Sequence, residues 1–501
     1  MIHKIFSVAH QGLEGRLVEI EAGMSYEMPG FVIVGLPDAA VQEAKERVKH
    51  AILNSGFEFP KRKLTVNLAP ADIRKEGPAF DLALALAILL CNKQINVSVD
   101  KALFIGELAL DGSLRATRGV LPAAIFAKKQ QFKTIFVPPA NQHEAALVSG
   151  LEVIPVSNLA ETIDHLEGRK IIPAAAKTEY DWQNQPYESD MKYVKGQEQA
   201  KRALEIAAAG AHNIIMSGPP GSGKTLLART LPTILPELTE EEILEVTKIY
   251  SIAGLLSRDQ PVIKTRPFRS PHHSSSGVAL VGGGANPKPG EISLAHRGLL
   301  FLDELPEFPR MVLEHLRQPL EDGVISISRA QGTYQYPARF ILVASQNPCP
   351  CGYASDPERE CTCTMNQKIQ YQKKISGPLL DRIDLHLEVP RVPIDKIQND
   401  EEAESSSDIR KRVAAAHEIQ NKRFAKLSIR YNSEMRPQDL NEFCRLNIDA
   451  RNLLKQAAEK LRLTTRSYYR IIKLARTIAD LEQNSEIETK HIAEALQYRP
   501  S

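Results

Sequence analysis

The sequence predicts an α/β chain of several domains, one of them built around a phosphate-binding loop. Three observations point there. Up to about residue 167, short apolar strands alternate with helical stretches. Near residue 214 an apolar strand runs into a glycine-rich loop and then a helix. Beyond about residue 397 the pattern turns helix-rich and charge-laced. With 501 residues the chain is too long for one ordinary core, and about three domains are expected. Hydrophobic residues at 43% and charged residues at 25% are ordinary globular usage, which excludes a disordered or fibrous class. A formal net charge of +2 excludes a polycation, so any nucleic-acid contact has to come from local basic surfaces.

In the first α/β region, 1–167, strands are expected at Phe31 to Val34, Lys63 to Leu68, Ala102 to Ile105 and Thr134 to Val137, with helices at Ala39 to Leu53 and Asp81 to Leu90. Residues 168–190 contain Pro173, an alanine run, the only tryptophan (Trp182) and many polar residues without periodicity, which suits a linker. A second α/β domain is expected at 191–396. The polar stretch Asn399 to Ser407 then opens a helical region, 397–501. No short-period repeat runs through the chain. Met1 to Gly12 has one lysine and no apolar stretch, and the longest apolar run, Leu82 to Cys91, is too short to span a bilayer. A soluble, cytoplasmic protein without membrane contact is therefore expected.

Ile214, Ile215 and Met216 lead into Gly218, Pro219, Pro220, Gly221, Ser222, Gly223, Lys224 and Thr225, followed by the helical run Leu226 to Leu231. Glycines let backbone N–H groups curl round phosphate oxygens, and the helix N-terminus favours negative charge. Lys224 can then reach terminal phosphates and Thr225 can ligate Mg²⁺. Farther on, the apolar strand Leu299 to Leu302 ends in Asp303 and Glu304, where an Asp would hold the Mg²⁺ and a Glu would orient the attacking water. A third strand, Arg339 to Ser345, carries Asn347 at its tip, a polar group placed to help position that water. Arg382, after the turn at Gly377 and Pro378, has two readings. It is either a finger reaching an adjacent subunit's γ-phosphate or a surface ion pair within Asp381, Arg382 and Asp384.

Six cysteines in this length are no disulfide scaffold, yet Cys349, Cys351, Cys361 and Cys363 lie close in sequence. Four thiols suffice for a tetrahedral structural Zn²⁺, although Cys-x-Cys is tighter than the common Cys-x₂-Cys knuckle. Zinc and metal-free reduced thiols both remain open. His272 and His273 are alternative ligands, for which hydrogen bonding or a pore-loop role is the simpler reading.

These motifs, together with Gly35 to Asp38, Val194 to Gln197, Arg269 to His273, Gly282 to Gly284, Asn286, Pro289 to Glu291, Asp303 to Glu307, Asn347 to Gly352, Ser376 to Arg382 and Ala475 to Asp480, resemble the ComM/YifB family of Mg-chelatase-like AAA+ ATPases along nearly the whole chain. The resemblance implies an AAA+ P-loop core with a parallel sheet, a helical C-terminal lid and assembly as a homo-hexamer. It gives Asn347 the sensor-1 role, Arg382 the arginine-finger role and Arg466 the sensor-2 role, Arg470 and Arg476 lying on the same expected helix. Ser270 to Gly290 corresponds to a helix-2 insertion. Val324 to Arg329 and Tyr336 to Leu342, joined by Gln331, Gly332 and Thr333, correspond to a pore-facing hairpin before sensor 1. The first domain is similar to the Lon-protease (ribosomal S5 domain 2-like) fold, but Ala79 stands where Lon has its serine and Leu121 where it has its lysine. Acyl transfer then has neither nucleophile nor base, and no stable peptide substrate is expected. The domain is read as a scaffold or nucleic-acid platform.

The function this implies is ATP-driven, Mg²⁺-dependent movement along DNA. The resemblance implies a branch migration helicase that promotes DNA integration in natural transformation and recombination, on single-stranded or branched DNA. Arg266, Arg269, Lys288, Arg297, Arg329, Arg462 and Arg466 are candidate phosphate contacts, Arg329 the chosen one, against a reading as solvated charge or, for Arg329, a pair with Glu321 or Asp322. The alternatives are an Mg-chelatase-type motor, which ordinarily lacks the Lon-like domain and works with porphyrin-binding subunits, and an ATP-dependent remodeller of a protein client. A Lon-like protease lacks its dyad, and a binding-only scaffold would have no use for Lys224, Thr225, Asp303 and Glu304.

Overall fold

Gly12, at φ +64, lets the chain reverse between the strands Lys4–Gln11 and Glu14–Ser25, which pair antiparallel with His10 opposite Gly15. In this computed structural model, residues 4–177, 189–257, 259–284, 287–329, 332–356, 358–393 and 403–500 are described. They form two compact units, the first of Met1–Gln183, Glu240–Lys264 and Ser328–Gln335, the second of the remaining segments.

The first unit carries a seven-stranded mixed sheet in the order Gly30–Val34, Lys63–Ala69, Glu14–Ser25, Lys4–Gln11, Ala102–Phe104, Thr134–Val137, Glu152–Pro155. Helix Asp81–Cys91 is apolar all round because it is covered all round: every residue from Asp81 to Leu90 is buried. Helix Ala39–Asn54 starts at Asp38, whose carboxylate accepts from the Val41 N–H at 2.8 Å. The first hairpin and the strand Glu152–Pro155 carry no expectation from the sequence. In Glu14–Ser25, buried and partly buried residues alternate along a run that contains four charged side chains.

The expected linker begins later than its composition suggests. Ile172 is buried, and the Ala175 N–H donates to Val153 O at 2.8 Å, so residues 168–177 belong to the first unit. Trp182 lies outside the described residues. Helix Glu240–Ala253 also groups with the first unit: Gly119 N–H donates to Ser251 O at 3.1 Å, and Ser251 Oγ to Glu144 at 2.7 Å. The expected domain 191–396 is thereby cut by a segment whose apolar face, Ile243, Val246 and Ile249, does not announce which surface it will cover.

The second unit has a five-stranded parallel sheet in the order Phe268–Arg269, Leu299–Leu302, Ile341–Gln346, Ile214–Ser217, Leu385–Glu388. All four residues of Leu299–Leu302 are buried, as a parallel strand covered on both faces requires. The hairpin differs from expectation. Its strands are Val324–Arg329 and Gly332–Pro337, so Gly332 and Thr333 are strand residues, Gln331 of the expected turn lies outside the described residues, and Ile341–Gln346 is a separate central strand. The tip, Ser328–Gln335, belongs to the first unit, where a Cβ on Gly12 would lie 3.7 Å from Tyr334 Cδ1.

Among the described residues the C-terminal helices have no core of their own. Helices Ser406–Arg423, Thr465–Leu481 and Thr489–Gln497 share one apolar core with helix Glu198–Gly210 and the sheet, through Val413, Ala416, Ala475, Ile478 and Ile492. Ser406, in the stretch read as a boundary, is buried and accepts from Met191 N–H at 2.7 Å.

Candidate nucleotide site

Ser217 ends its strand opposite Gln346, and Gly218 N–H donates to Gln346 O at 3.2 Å. Gly221 and Gly223, at φ +79 and +88, turn the chain into helix Lys224–Ile234 and leave its N-terminal N–H groups facing the loop. Lys224 is nearly buried, its Nζ 2.7 Å from Gly218 O, 2.9 Å from Pro219 O and 3.4 Å from Asn347 Oδ1. Burial lowers its pKa, opposed by Asp303 and Glu304. Gln197 Nε2 donates to Ser222 O at 3.2 Å and Pro390 O at 3.1 Å, bracing the loop from outside.

Parallel pairing of Leu302 with Ala344 puts Asp303 beside Ser345. Ser345 Oγ donates to Asp303 Oδ1, and Thr225 Oγ1 donates to Asp303 Oδ2 at 3.1 Å. A hydroxyl and a carboxylate so placed suit a hard divalent cation, which Thr225 and Asp303 would hold. Glu304 sits at φ +53, an uncommon conformation for a side-chain-bearing residue, secured by its N–H on Asp303 Oδ1 and Ser345 Oγ, each at 3.1 Å. Ser345, the last residue of the expected strand and one before the end of the observed one, carries no role in the sequence analysis, although its place beside Asp303 follows from parallel register.

Arg382 and Arg466 do not touch this loop. Arg382 donates to Glu321 and, at 2.7 Å, to Pro378 O, with its side chain only 10% exposed, and Arg466 lies 3.8 Å from the same Glu321. The three line a cavity of about 740 Å³ together with Arg470 and Asp381. The alternative pairing of Arg382 with Asp381 or Asp384 is not formed: those carboxylates face Arg470, at 4.0 and 3.8 Å, and Asp384 also meets His212 at 3.0 Å. Arg476 is buried against Asp480 at 3.0 Å, a structural ion pair. Glu321 appeared in the sequence reading only as a partner for Arg329, and no local pattern marks it as the partner of Arg382 and Arg466.

The four cysteine Sγ atoms lie within 4.8 Å of one another, and neither His272 nor His273 joins them. His272 instead contacts Ser274 Oγ at 2.8 Å. Of the candidate phosphate contacts, three have internal duties. Arg266 and Arg297 are buried, Arg266 donating to Pro236 O at 2.6 Å, and Arg269 grips Glu291 with two bonds of 2.6 and 2.7 Å. Arg329 is exposed, and Glu321, one carboxylate expected to pair with it, is held by Arg382. In the first unit, Ala79 lies in the short helix Pro78–Phe80, and Leu121 is buried with its N–H donating to Glu144 at 3.3 Å. No helix among the described residues is long and apolar enough to cross a membrane.

Residues 190–397 match the family described as magnesium chelatase, subunit ChlI. Residues 20–141 match subunit ChlI of Mg-chelatase, and residues 403–499 its C-terminal part. The chain is 44% identical over 505 residues to the competence protein ComM of Haemophilus influenzae, covering 99% of this chain and 97% of that protein. It is 43% identical over 490 residues to the uncharacterized protein YifB of Escherichia coli, covering 97% of this chain and 95% of that one. A shorter similarity, 30% over 166 residues, links it to the Lon protease of Rhizobium meliloti, covering 30% of this chain and 20% of that protein.

Proposed function

Because the chain belongs to the ComM/YifB family of Mg-chelatase-like AAA+ proteins, we propose that it is an Mg²⁺-dependent ATP hydrolase working as a cytoplasmic homo-hexameric DNA motor, a branch migration helicase in the uptake of DNA by recombination. The observation that carries the reading is one cluster built from three adjacent strand ends: Lys224 meets Asn347, and Thr225 meets Asp303. In this reading the loop Gly218 to Thr225 cradles the phosphates, and Lys224 neutralises the terminal ones. Thr225 and Asp303 hold Mg²⁺, which supplies charge neutralisation between the phosphates. Glu304 orients the attacking water and Asn347 assists it. The domain reading is a Lon-like first domain, 1–167 with 168–177 packed on it, an AAA+ core within 191–396 and a helical lid, 397–501, that shares the apolar centre of that core. Cys349, Cys351, Cys361 and Cys363 hold a structural Zn²⁺.

Arg382 and Arg466 serve the neighbouring subunit's nucleotide. Their common partner Glu321 and their absence from the loop's own contacts support that role. The DNA part rests on the competence name of the relative and on the exposed Arg329 at the hairpin end. Turnover of ATP measured with and without a synthetic four-way junction tests both parts. No turnover in the presence of Mg²⁺ removes the ATPase reading, and DNA-insensitive turnover with no junction movement removes the DNA reading.

A further inference from the structure

The strand Ile341–Gln346 delivers Asn347, and the chain then turns at once through Cys349 and Cys351; Cys361 and Cys363 stand directly before helix Met365–Gln372. Three of the Sγ pairs measure 3.4, 3.6 and 3.7 Å, and no disulfide joins any of them. A tetrahedral zinc thiolate with Zn–S of about 2.3 Å needs sulfurs roughly 3.8 Å apart. The Cys351 N–H also donates to Cys363 Sγ at 3.4 Å.

What surrounds the cluster links it to the phosphate loop. Gly352 takes φ +86, and a Cβ there would lie 2.7 Å from Pro220 Cδ and 3.9 Å from Asn347 Cγ. On the other side, Thr364 and Gln367 form a capping box that starts helix Met365–Gln372. Its Tyr371 is buried, within reach of the Asn347 backbone. Among the described residues between Cys351 and Cys361, only Gly352 is buried, so no apolar core holds this loop in place.

We propose that one Zn²⁺ bound by Cys349, Cys351, Cys361 and Cys363 is a brace that fixes Asn347 and Pro220, making ATP turnover depend on metal occupancy. The turnover arm rests on the ATPase reading above; the metal site does not. Binding deprotonates the thiols, each S–H proton leaving to solvent as its sulfur donates an electron pair, with nothing oxidised or reduced. Asn347 and Tyr371 act here as positioned and positioning groups, since neither touches the metal.

Full-length protein purified under reducing, chelator-free conditions should hold about one zinc per chain by elemental analysis. Its cluster thiols should resist an aromatic disulfide reagent until a mercurial releases the metal. Removing zinc should expose the segment between Cys351 and Cys361 to proteolysis and lower kcat about tenfold or more, the scale of outer-shell defects around a metal, with recovery on adding Zn²⁺. Cys361→Ser with Cys363→Ser should do the same, and reversible stripping of the wild type replaces this variant if it misfolds. Gly352→Ala should retain zinc yet weaken nucleotide binding by crowding Pro220. Zinc-free protein with freely reacting thiols overturns the site. Zinc that can be removed without changing proteolysis or turnover overturns the brace. If bound zinc protects the segment in a protein that hydrolyses no ATP, the site stands and the ATPase reading falls.

Discussion

Thr225 and Asp303 come from different strand–loop junctions, yet their side-chain oxygens lie 3.1 Å apart, with Ser345 holding the second carboxylate oxygen of Asp303. Lys224 lies in the same cluster, and Glu304 follows Asp303 at φ +53, its charge acting on Lys224 as that of Asp303 does. Lys224→Ala should therefore abolish ATP binding, measured with a fluorescent analogue. Glu304→Gln should keep binding while slowing turnover about 100-fold or more, because only water orientation is lost. Equal turnover in Glu304→Gln and wild type would remove Glu304 from this role.

Arg382 is held by Glu321 on its own chain and stays clear of its own phosphate loop. Arg382→Ala should lower turnover about 1,000-fold, the scale of an arginine finger. Mixing Arg382→Ala with Glu304→Gln protomers should restore part of the activity by forming some intact mixed sites. Verified mixed assemblies that remain inactive would show that Arg382 does not act across a boundary.

Arg329 is exposed at the end of its hairpin strand. If it meets a DNA backbone, Arg329→Ala should weaken DNA stimulation and junction movement, reduce the slope of log K against log salt by about one, and spare basal ATP turnover. Fluorescence anisotropy across a salt series measures this. An unchanged slope would place Arg329 off the DNA path.

His10 sits with its Nδ1 shielded and unpartnered, and burial, aided by Lys248, lowers its pKa to about 4 from 6.5. The folded state thus prefers the neutral ring. Its contribution to stability is present above pH 6.5 and is lost as pH falls toward 4. At pH 5 the loss should be about 2 kcal/mol relative to pH 7.5. Urea unfolding of wild type and His10→Leu at both pH values checks it, the variant showing the smaller drop.

The phosphate loop and the Asp303–Glu304 strand end are local patterns: residue type, order and apolar flanks state their chemistry before any folding. The strands Leu299–Leu302 and, from Ile135 on, Thr134–Val137 were legible for the same reason, since strands buried on both faces read as apolar runs. Other features depend on which surfaces meet, and periodicity does not encode that. Helix Glu240–Ala253 joins the first unit, the C-terminal helices merge into the core of the second, and Glu321 comes to hold Arg382 and Arg466. Arg266, Arg269 and Arg297 resemble Arg329 in sequence, yet the fold spends them on carbonyls, a carboxylate or burial. The charge was written in the sequence; only the tertiary structure decided which guanidinium groups stay exposed, because burying one requires partners brought in from distant segments.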